Sequence, residues 1–554
     1  MKNKIQKLET KKTMLRLIIL FTFLISASTS FAQKDTSNPQ SVIIVSAYRP
    51  VLGDAVKINF SGTQLTADTT MRVGPYKIPA QHLFYSYQPV PLQPLILEND
   101  ASVELGQRYF VKAGFGNLST AFLNAGASFG DGKTSLINFY ADYASSKGKI
   151  INQDFSVMNL KGTGSYFGEN HEVYAGLGIS SKSYALYGYD HSSYEFNKKD
   201  IRQLFQDIDI KGGIKTTKKN KVGITYDPTL NINFFTLSNK LTETSVIINA
   251  PAEKIITSEI VAKVEANVDF TRYATKLSVN DTSYNNTIVR LSPAVKFFGP
   301  ALLINAGISP VWDNGDLHLI PDVYIEAKVQ DQLRLQAGWV GKIYKNTVRE
   351  LSKTNPFLQP PTSKFNTKEI EFYGGLKATL GNHFNFSGKA SWLTYDHFAL
   401  FLNDTLSVTN NFKVVEEERL NNFRIQGSIS YIQTELFNIT GGFTLNAYTG
   451  MKTFSRAWNT VPLEITGSAA WYPLKKLMIK GDVYIFGGGK YFDKENKTLT
   501  LKGGTDLSLG AEYKINKQLS AWVQGNNLLN DKYKRWDNYP VYGINLLGGI
   551  LIKF

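Results

Sequence analysis

The chain has 554 residues, contains no cysteine, and carries a formal net charge of +15 at pH 7. The absence of cysteine excludes a disulfide framework, a thiolate metal site and a lipid-anchored N-terminal cysteine. The basic residues stand singly along the chain instead of forming a patch or stripe, so the positive charge does not predict nucleic-acid binding.

The first 32 residues are organised like a secretory signal peptide. Six basic residues precede a short apolar run at positions 17–25, and the small-x-small sequence Ser30-Phe31-Ala32 follows. We predict cleavage after Ala32, which removes six basic residues and one acidic residue and leaves a net charge of +10. No later stretch approaches the roughly 18 uninterrupted apolar residues of a membrane-spanning helix, so any membrane crossing must be made by strands.

Residues 33–106 lack the alternation of barrel strands and contain seven prolines. Because proline has no backbone N–H and cannot sit in a central ladder, we predict an extended periplasmic or lumenal segment. Within it, Val42, Ile43, Ile44 and Val45 form a short apolar run of the kind that adds as an edge strand to a periplasmic partner. The alternative is an ordinary short strand, or a segment that plugs the lumen.

From Arg108 onward, apolar and polar residues alternate in one strand after another. In one such run the apolar residues Leu123, Ala125, Ala127 and Phe129 alternate with Asn124, Gly126, Ser128 and Gly130. A period of two predicts strands with one apolar face. Aromatic residues make up 13% of the chain, yet the mean hydropathy is −0.19. This combination is typical of a barrel wall with an apolar outer face, a polar lumen and aromatic girdles.

Short turns and longer loops alternate between these strands. Ten short turns are predicted, at or near Asp131-Gly132, Glu169-Asn170, Lys219-Asn220, Glu253-Lys254, Gly299-Pro300, Asp331, Gly381-Asn382, Thr434, Pro473 and Asn516. Longer polar loops lie between them, such as residues 187–202, 345–366 and 487–502. Outer-membrane barrels have this asymmetry, with turns facing the periplasm and loops outside. Ten turns with one strand before the first pair and one after the last predict about 22 strands, within a range of 18 to 24.

The end of the chain is a strand with one apolar face. Alternate positions are occupied by Phe554, Ile552, Ile550, Leu546, Ile544 and Tyr542, with Gly548 as the one gap. Two similar runs lie upstream, joined by the Asn516-Lys517 link. Runs of about 9–11 residues have the length that a tilted strand needs to cross a bilayer.

These closing strands, together with Leu529-Asn530-Asp531-Lys532-Tyr533, resemble the C-terminus of TonB-dependent outer-membrane receptors. The resemblance implies a barrel whose last strand is read by the barrel-assembly machinery, here through Leu546, Ile550, Ile552 and Phe554. Residues 41–50 resemble the TonB box of the same family, which implies that Val42, Ile43, Ile44 and Val45 bind TonB. The chain departs from the family after Pro50, because only about 55 residues separate Pro50 from the first barrel strand, too few for a full plug domain.

The sequence offers little support for catalysis or metal binding. The six histidines, which are His82, His171, His191, His318, His383 and His397, are scattered over different hairpins without metal-ligand spacing. Asp190, His191 and Ser192 lie together in one predicted loop, but a catalytic triad needs spatial adjacency and a strained nucleophile turn. We therefore predict no enzyme activity, no metal and no cofactor.

Seven aromatic residues fall at predicted loop edges: Trp312, Phe357, Tyr448, Phe454, Trp458, Tyr491 and Trp536. We assign them to the aromatic belt at the membrane interface. The alternatives are stacking on sugars and docking of a surface lipoprotein.

The sequence thus predicts an all-β protein. Residues 1–32 are the signal peptide, residues 33–106 an irregular N-terminal segment, and residues 107–554 a single transmembrane antiparallel up-and-down β-barrel in the cell outer membrane. The expected function is transport or uptake of a solute, with residues 33–105 folded back as a reduced plug. The alternative is a non-transporting structural or scaffold barrel in an outer-membrane assembly. Expected partners are outer-membrane lipid, the barrel-assembly machinery, and TonB or a surface lipoprotein, but not nucleic acid.

Overall fold

The computed structural model describes residues 108–554, apart from residues 219–221, 239–240, 278–279, 362–363, 382, 434–435, 494 and 496. The predicted signal peptide, the N-terminal segment of residues 33–106 and the apolar run Val42, Ile43, Ile44 and Val45 therefore lie outside the described residues.

Strands make up nearly all the regular structure of the described chain. In chain order they are β1 (Tyr109–Gly116), β2 (Thr120–Gly130), β3 (Ser135–Lys147), β4 (Asp154–Phe167), β5 (His171–Ala185), β6 (Arg202–Thr216), β7 (Ile224–Tyr226), β8 (Thr229–Leu237), β9 (Leu241–Ile255), β10 (Ile260–Leu277), β11 (Asn280–Phe298), β12 (Leu302–Asp313), β13 (Asp316–Gln330), β14 (Leu333–Lys345), the helix α1 (Val348–Thr354), β15 (Asn366–Leu380), β16 (Phe384–Asn403), β17 (Phe412–Gln433), β18 (Phe437–Thr449), β19 (Leu463–Leu474), β20 (Leu477–Phe486), β21 (Lys490–Phe492), β22 (Thr498–Thr500), β23 (Gly504–Lys514), β24 (Leu519–Asn526), β25 (Lys534–Trp536), β26 (Tyr539–Pro540) and β27 (Asn545–Lys553).

The strands form one closed antiparallel barrel. Each strand of the wall pairs with the next, and β1 pairs with β27 from Phe110–Lys553 to Gly116–Leu547, which closes the ring. The strands β7 and β8 share one place, because both pair with β9. The pairs β21–β22 and β25–β26 lie apart from the wall. The described wall therefore has 22 strands, and the predicted architecture and strand number are confirmed.

Ten short connections lie at one end of the barrel, which we call the turn end. They are residues 131–134, 168–170, 217–223, 256–259, 299–301, 331–332, 381–383, 434–436, 475–476 and 515–518. Each corresponds to a predicted turn, although Lys219, Asn220, Asn382 and Thr434 themselves lie outside the described residues. Two predictions were displaced by a few residues, because β9 continues through Glu253-Lys254 and β19 through Pro473. The longer connections lie at the opposite end, the loop end.

The first of these turns shows how the sequence specifies a connection. Gly132 has a φ of 67°, a left-handed conformation that glycine adopts without steric cost. The Asp131 carboxylate accepts hydrogen bonds from the backbone N–H groups of Ser135, Thr134 and Lys133, at 3.0, 2.7 and 2.9 Å. These three N–H groups hold the pKa of Asp131 well below its usual range.

Apolar side chains cover the outer face of the wall. On the last strand and just beyond it, Leu546, Ile550, Ile552 and Phe554 all point outward and are exposed. The predicted strand is too long at its N-terminal end, because β27 begins only at Asn545. Tyr542, which was predicted to lie on the apolar face of this strand, is buried at the loop end instead. An outer face of this kind suits contact with hydrocarbon.

The inner face is polar and carries ion pairs between strands. Lys389 of β16 lies 2.7 Å from Glu371 of the neighbouring β15, and Lys296 of β11 lies 2.8 Å from Glu253 of β9, two strands away. Pairing of this kind compensates for the loss of hydration inside the wall. Among the described residues, no helix has the length and apolarity to span a membrane.

Candidate functional site

A large apolar core lies at the loop end of the barrel, where sequence reasoning predicted solvated loops. Three loops supply much of it, namely residues 186–201, 346–365 and 527–544, and a fourth loop, residues 404–411, is hydrogen-bonded to them. The remaining side chains of the core come from the adjacent ends of wall strands. We call these four loops and their shared core the cap.

The core of the cap extends across the barrel. It contains Phe205 from β6 and Phe412 from β17. Counted around the ring, β6 occupies the sixth place and β17 the sixteenth of 22, so these residues lie on nearly opposite sides of the wall. A continuous apolar cluster that joins nearly opposite sides of the wall spans the mouth.

Three aromatic rings from three different loops meet in this core. The rings of Phe357 and Tyr539 stack with centroids 3.6 Å apart, and Tyr187 contacts Tyr539 edge-on at 5.1 Å. The Tyr187 hydroxyl donates to the carbonyl oxygen of Pro540 at 2.8 Å, and the Tyr539 hydroxyl donates to that of Thr409 at 2.7 Å. Burial raises the pKa of both tyrosines, so both hydroxyls stay protonated donors.

A second anchor lies where the loop of residues 527–544 crosses β16 and β17. Trp536 is fully buried, and its ring packs against Phe401 and Phe412 at centroid distances of 5.2 and 5.1 Å. The neighbouring Arg535 guanidinium lies over the Trp536 ring at 4.3 Å and donates to the carbonyl oxygen of Asn459 at 3.1 Å. This contact joins the cap to the loop of residues 450–462.

Helix α1 is held against the wall by carboxylates from other strands. The first backbone N–H groups of a helix lack partners within the helix. Here those of Val348 and Arg349 donate to the two carboxylate oxygens of Glu243 on β9, at 2.6 and 2.9 Å. The Arg349 side chain donates to Asp207 on β6 at 2.7 Å. Burial opposes the charge of Arg349, but Asp207 and Glu350 more than offset it, so the pKa of Arg349 is raised.

A small cleft with a volume of about 10 Å³ lies at the cap. Its lining includes Asp404, Asp493 and Asp537 together with Asn403 and Asn410. Asp404 is already engaged, since it accepts from Gln359 at 2.7 Å and pairs with Lys413 at 3.0 Å. The cleft is smaller than the roughly 300–1,000 Å³ of typical ligand pockets.

The belt assignment of the loop aromatics is wrong for several of them. Phe357, Trp458 and Trp536 have 0, 1 and 0% of their surface exposed. By contrast, Trp312 is 39% exposed on the outer face, as a belt residue would be. The sequence signal that could have indicated this core is the presence of large aromatic residues inside long loops, because long loops can pack on their own side chains.

The Asp190-His191-Ser192 loop is not arranged as a triad. The hydroxyls of Ser192 and Ser193 both donate to Asp190 at 2.7 Å. The Nε2 atom of His191 instead lies 3.0 Å from the carbonyl oxygen of Tyr187. The imidazole therefore does not contact the serine hydroxyl that it would have to activate.

The other histidines that the structure describes, at positions 171, 318, 383 and 397, lie on separate strands or turns, and His82 lies outside the described residues. In the part of the chain that is described, no group of three or more His, Cys, Asp or Glu side chains is placed to hold a metal ion.

Comparison with known proteins identifies the fold. No family model matches the sequence, and no curated protein matches it. Among solved structures, the FrpB iron transporter from Neisseria meningitidis (F3-3 variant) is similar with a TM-score of 0.63 and 12% identity, over 82% of each chain. The ferric-catecholate import receptor Fiu from E. coli K12 has a TM-score of 0.60 and 10% identity, over 81% of this chain and 82% of that one. The siderophore receptor PirA from Acinetobacter baumannii has a TM-score of 0.59 and 11% identity, over 81% and 80%.

These similarities concern the fold, since the identities are low. The resemblance to TonB-dependent receptors, inferred from the C-terminal segment, is confirmed at that level. The described residues have the 22-stranded barrel of such receptors, with its loop end filled by the cap.

Proposed function

We propose that this chain is an outer-membrane barrel of the TonB-dependent receptor type and that it takes up a solute across the outer membrane. The observation that carries the proposal is the closed 22-strand wall, apolar outside and ion-paired inside, in the same fold as an iron transporter, a ferric-catecholate import receptor and a siderophore receptor. An iron chelate is therefore the first class of cargo to test.

Uptake through this barrel requires movement at the loop end. The rings of Tyr187, Phe357 and Tyr539 join three loops across the mouth, so in this proposal a solute enters only when the cap loops separate. The chain enters the wall at the turn end, because Tyr109 at the start of β1 bonds to Phe554. We propose that residues 33–105 act from this side as a reduced plug. In this proposal Val42, Ile43, Ile44 and Val45 bind TonB, or a similar periplasmic partner, as an added strand.

The experiment is an uptake assay of an iron chelate in cells that make the full chain under iron limitation. Deletion of residues 41–47 is expected to abolish uptake while the barrel stays folded in the outer membrane. Ile44→Pro should act in the same way, because proline removes a backbone donor that strand addition uses. Ile44→Val is the matched control and should retain uptake. Uptake unchanged by the deletion would count against energised transport.

The second candidate is a structural barrel in a fixed outer-membrane assembly. The cap favours it, because a mouth sealed by a buried apolar core also suits a barrel that never opens. A scaffold should show no solute phenotype and should co-purify from its native envelope with fixed partners, such as a surface lipoprotein.

A further inference from the structure

The barrel wall has an interrupted seam between β13 and β14. Ladder pairing of these strands begins at the turn end and stops at Asp322–Val340. Above that pair, β13 continues from Pro321 to Asp316 and β14 from Gly341 to Lys345. The two edges run unpaired for about five residues, or roughly 16 Å along the strand. We call this part of the seam the slot.

Proline explains where the slot begins. Pro321 is paired with Ile308 in the unbroken ladder between β12 and β13. Because proline has no N–H, Pro321 and Ile308 cannot form a hydrogen-bonded pair. A residue that is not hydrogen-bonded to the strand on one side directs its backbone nitrogen and carbonyl to the strand on the other side, so the nitrogen of Pro321 faces β14. The position that should extend the β13–β14 ladder thus has no donor to offer.

The other flank of the same hairpin is weakened at the same height. Pairing of β11 with β12 stops after Arg290–Val311 and resumes only at Ala294–Gly307. The gap contains Pro293 and Pro310, neither of which has an N–H. In contrast, β12 and β13 are paired to each other without a break and end in the two-residue turn Asn314-Gly315. The ladder between β11 and β12 thus has a short break at the height where the slot begins. A hydrogen bond of 2.7 Å from the Ser309 hydroxyl to that of Ser292 crosses this break, and the two strands are paired again above it.

Apolar side chains fill the slot where hydrogen bonds are missing. Ile320 and Ile370 lie so close to Gly341 that a Cβ there would come within 2.8 Å of the first and 2.6 Å of the second. Ile320 also belongs to a small apolar cluster with Ile288 and Val311. On the outer face, Leu317 and Leu319 beside the slot are exposed and apolar. Apolar side chains thus lie at the outer edge of the slot and in the cluster behind it.

An open sheet edge is unexpected in the hydrocarbon region, where backbone groups have no water to bond. Separating the edges of the slot breaks no ladder hydrogen bond, and replacing the isoleucine side chains by another apolar chain costs little hydrophobic free energy. We propose that the slot is a lateral gate through which the acyl chain of a membrane amphiphile reaches the lumenal side of the wall. The amphiphile comes either from the bilayer itself or from free fatty acids dissolved in it.

Photolabelling of the full chain in phosphatidylcholine vesicles tests the gate. In one arm the phosphatidylcholine carries a diazirine at the end of its acyl chain, and in the other a free fatty acid carries it. We expect labelling of the buried Ile320 and Val311 in at least one arm. The buried Leu393 and Leu420 on β16 and β17, whose ladder is unbroken between them, are the control and should stay unlabelled.

Two substitutions distinguish entry of the label through the slot from entry through any other part of the wall. Pro321→Val supplies one N–H to the slot, and a single added hydrogen bond should reduce labelling of Ile320 by about fivefold. Pro251→Val, in the unbroken ladder of β9 with β10, is the matched control and should leave it unchanged. Labelling in the phosphatidylcholine arm identifies membrane lipid as the source, and labelling in the fatty-acid arm alone identifies a free amphiphile.

The proposal is overturned if Ile320 is labelled no more than Leu393 in both arms. It is also overturned if a folded Pro321→Val variant, inserted and heat-modifiable like the parent, is labelled as strongly as the parent.

Discussion

Single side chains determine how firmly the loops are held over the barrel mouth. The Glu243 carboxylate is buried, and both of its oxygens accept backbone N–H groups at the start of α1. A carboxylate at that place also interacts favourably with the helix dipole. Glu243 on β9 and the Arg349–Asp207 contact both hold α1 against the wall, so a substitution at Glu243 should loosen one anchor of the cap.

Glu243→Gln should destabilise the docking of α1. The amide keeps one acceptor oxygen but places an NH₂ group against a backbone donor, and a buried donor left without its acceptor costs about 1–3 kcal/mol. Amide hydrogen exchange at Val348, Arg349 and Leu351 should therefore accelerate by roughly tenfold or more. The control is Glu350→Gln on the exposed side of the same helix, where the ion pair with Lys353 contributes little. Equal acceleration in the two variants would disprove the anchoring role of Glu243.

At the scale of the element, the last strand closes the barrel. Its inner side chains include Leu547 and Leu551, which pack with Trp522, whereas its outer side chains face the membrane. Phe554 follows the strand and stacks on Tyr109 of β1 with ring centroids 5.5 Å apart. The end of the chain thus contributes to the seam that joins the two ends of the barrel, in addition to the assembly role that the family resemblance implies.

Removal of Phe554 should reduce assembly more than it reduces the stability of barrels that do form. We expect a smaller heat-modifiable fraction in the outer membrane, measured by gel mobility before and after boiling. Lys553→Gln is the control, because its side chain lies on the other face of the strand and leaves the outward row Leu546, Ile550, Ile552 and Phe554 intact. If the control lowered the folded fraction equally, the outward row would not be the assembly signal.

At the scale of the whole molecule, the cap lies across the loop end of the barrel. In a lumen as wide as that of 22 strands, the wall side chains cannot fill the interior, so some other part of the chain must occupy it. Here loops from distant parts of the sequence meet in one apolar core. We therefore expect the cap to limit conduction through the barrel.

The full chain in a planar bilayer should show very low conductance, and Phe357→Ala with Tyr539→Ala should raise it. Each truncation removes a buried aromatic ring, which typically costs about 3–5 kcal/mol, and together they remove the stacked pair that joins two loops. Tyr194→Ala is the control, since Tyr194 is an exposed aromatic residue of the same cap. A double variant that conducts no better than the control would locate the barrier elsewhere in the lumen.

The wall could be read from the sequence because its signals are local. Alternation with a period of two assigns each residue of a strand to the inside or the outside, and Asp131-Gly132 specifies a hairpin within four residues. Counting such turns gave the strand number and the identity of the two ends. Even the misplaced turns near Glu253 and Pro473 were displaced by only a few residues, which is the usual uncertainty of strand ends.

The cap and the slot could not be read in this way, because their contacts join residues far apart in the chain. Gln153 donates to the carbonyl oxygen of Pro540 across 387 residues, and Tyr187 meets Tyr539 across a similar separation. No periodic pattern links such positions, so a loop aromatic like Trp536 has the same sequence signature at a membrane interface as in a core. Likewise, Pro293, Pro310 and Pro321 are visible in the sequence, but only the register brings them to one height in the wall. The sequence by itself thus determined the strands and which of their faces is apolar. Only the closed barrel decided which loops meet at its loop end and where the hydrogen-bonded ladder between neighbouring strands is interrupted.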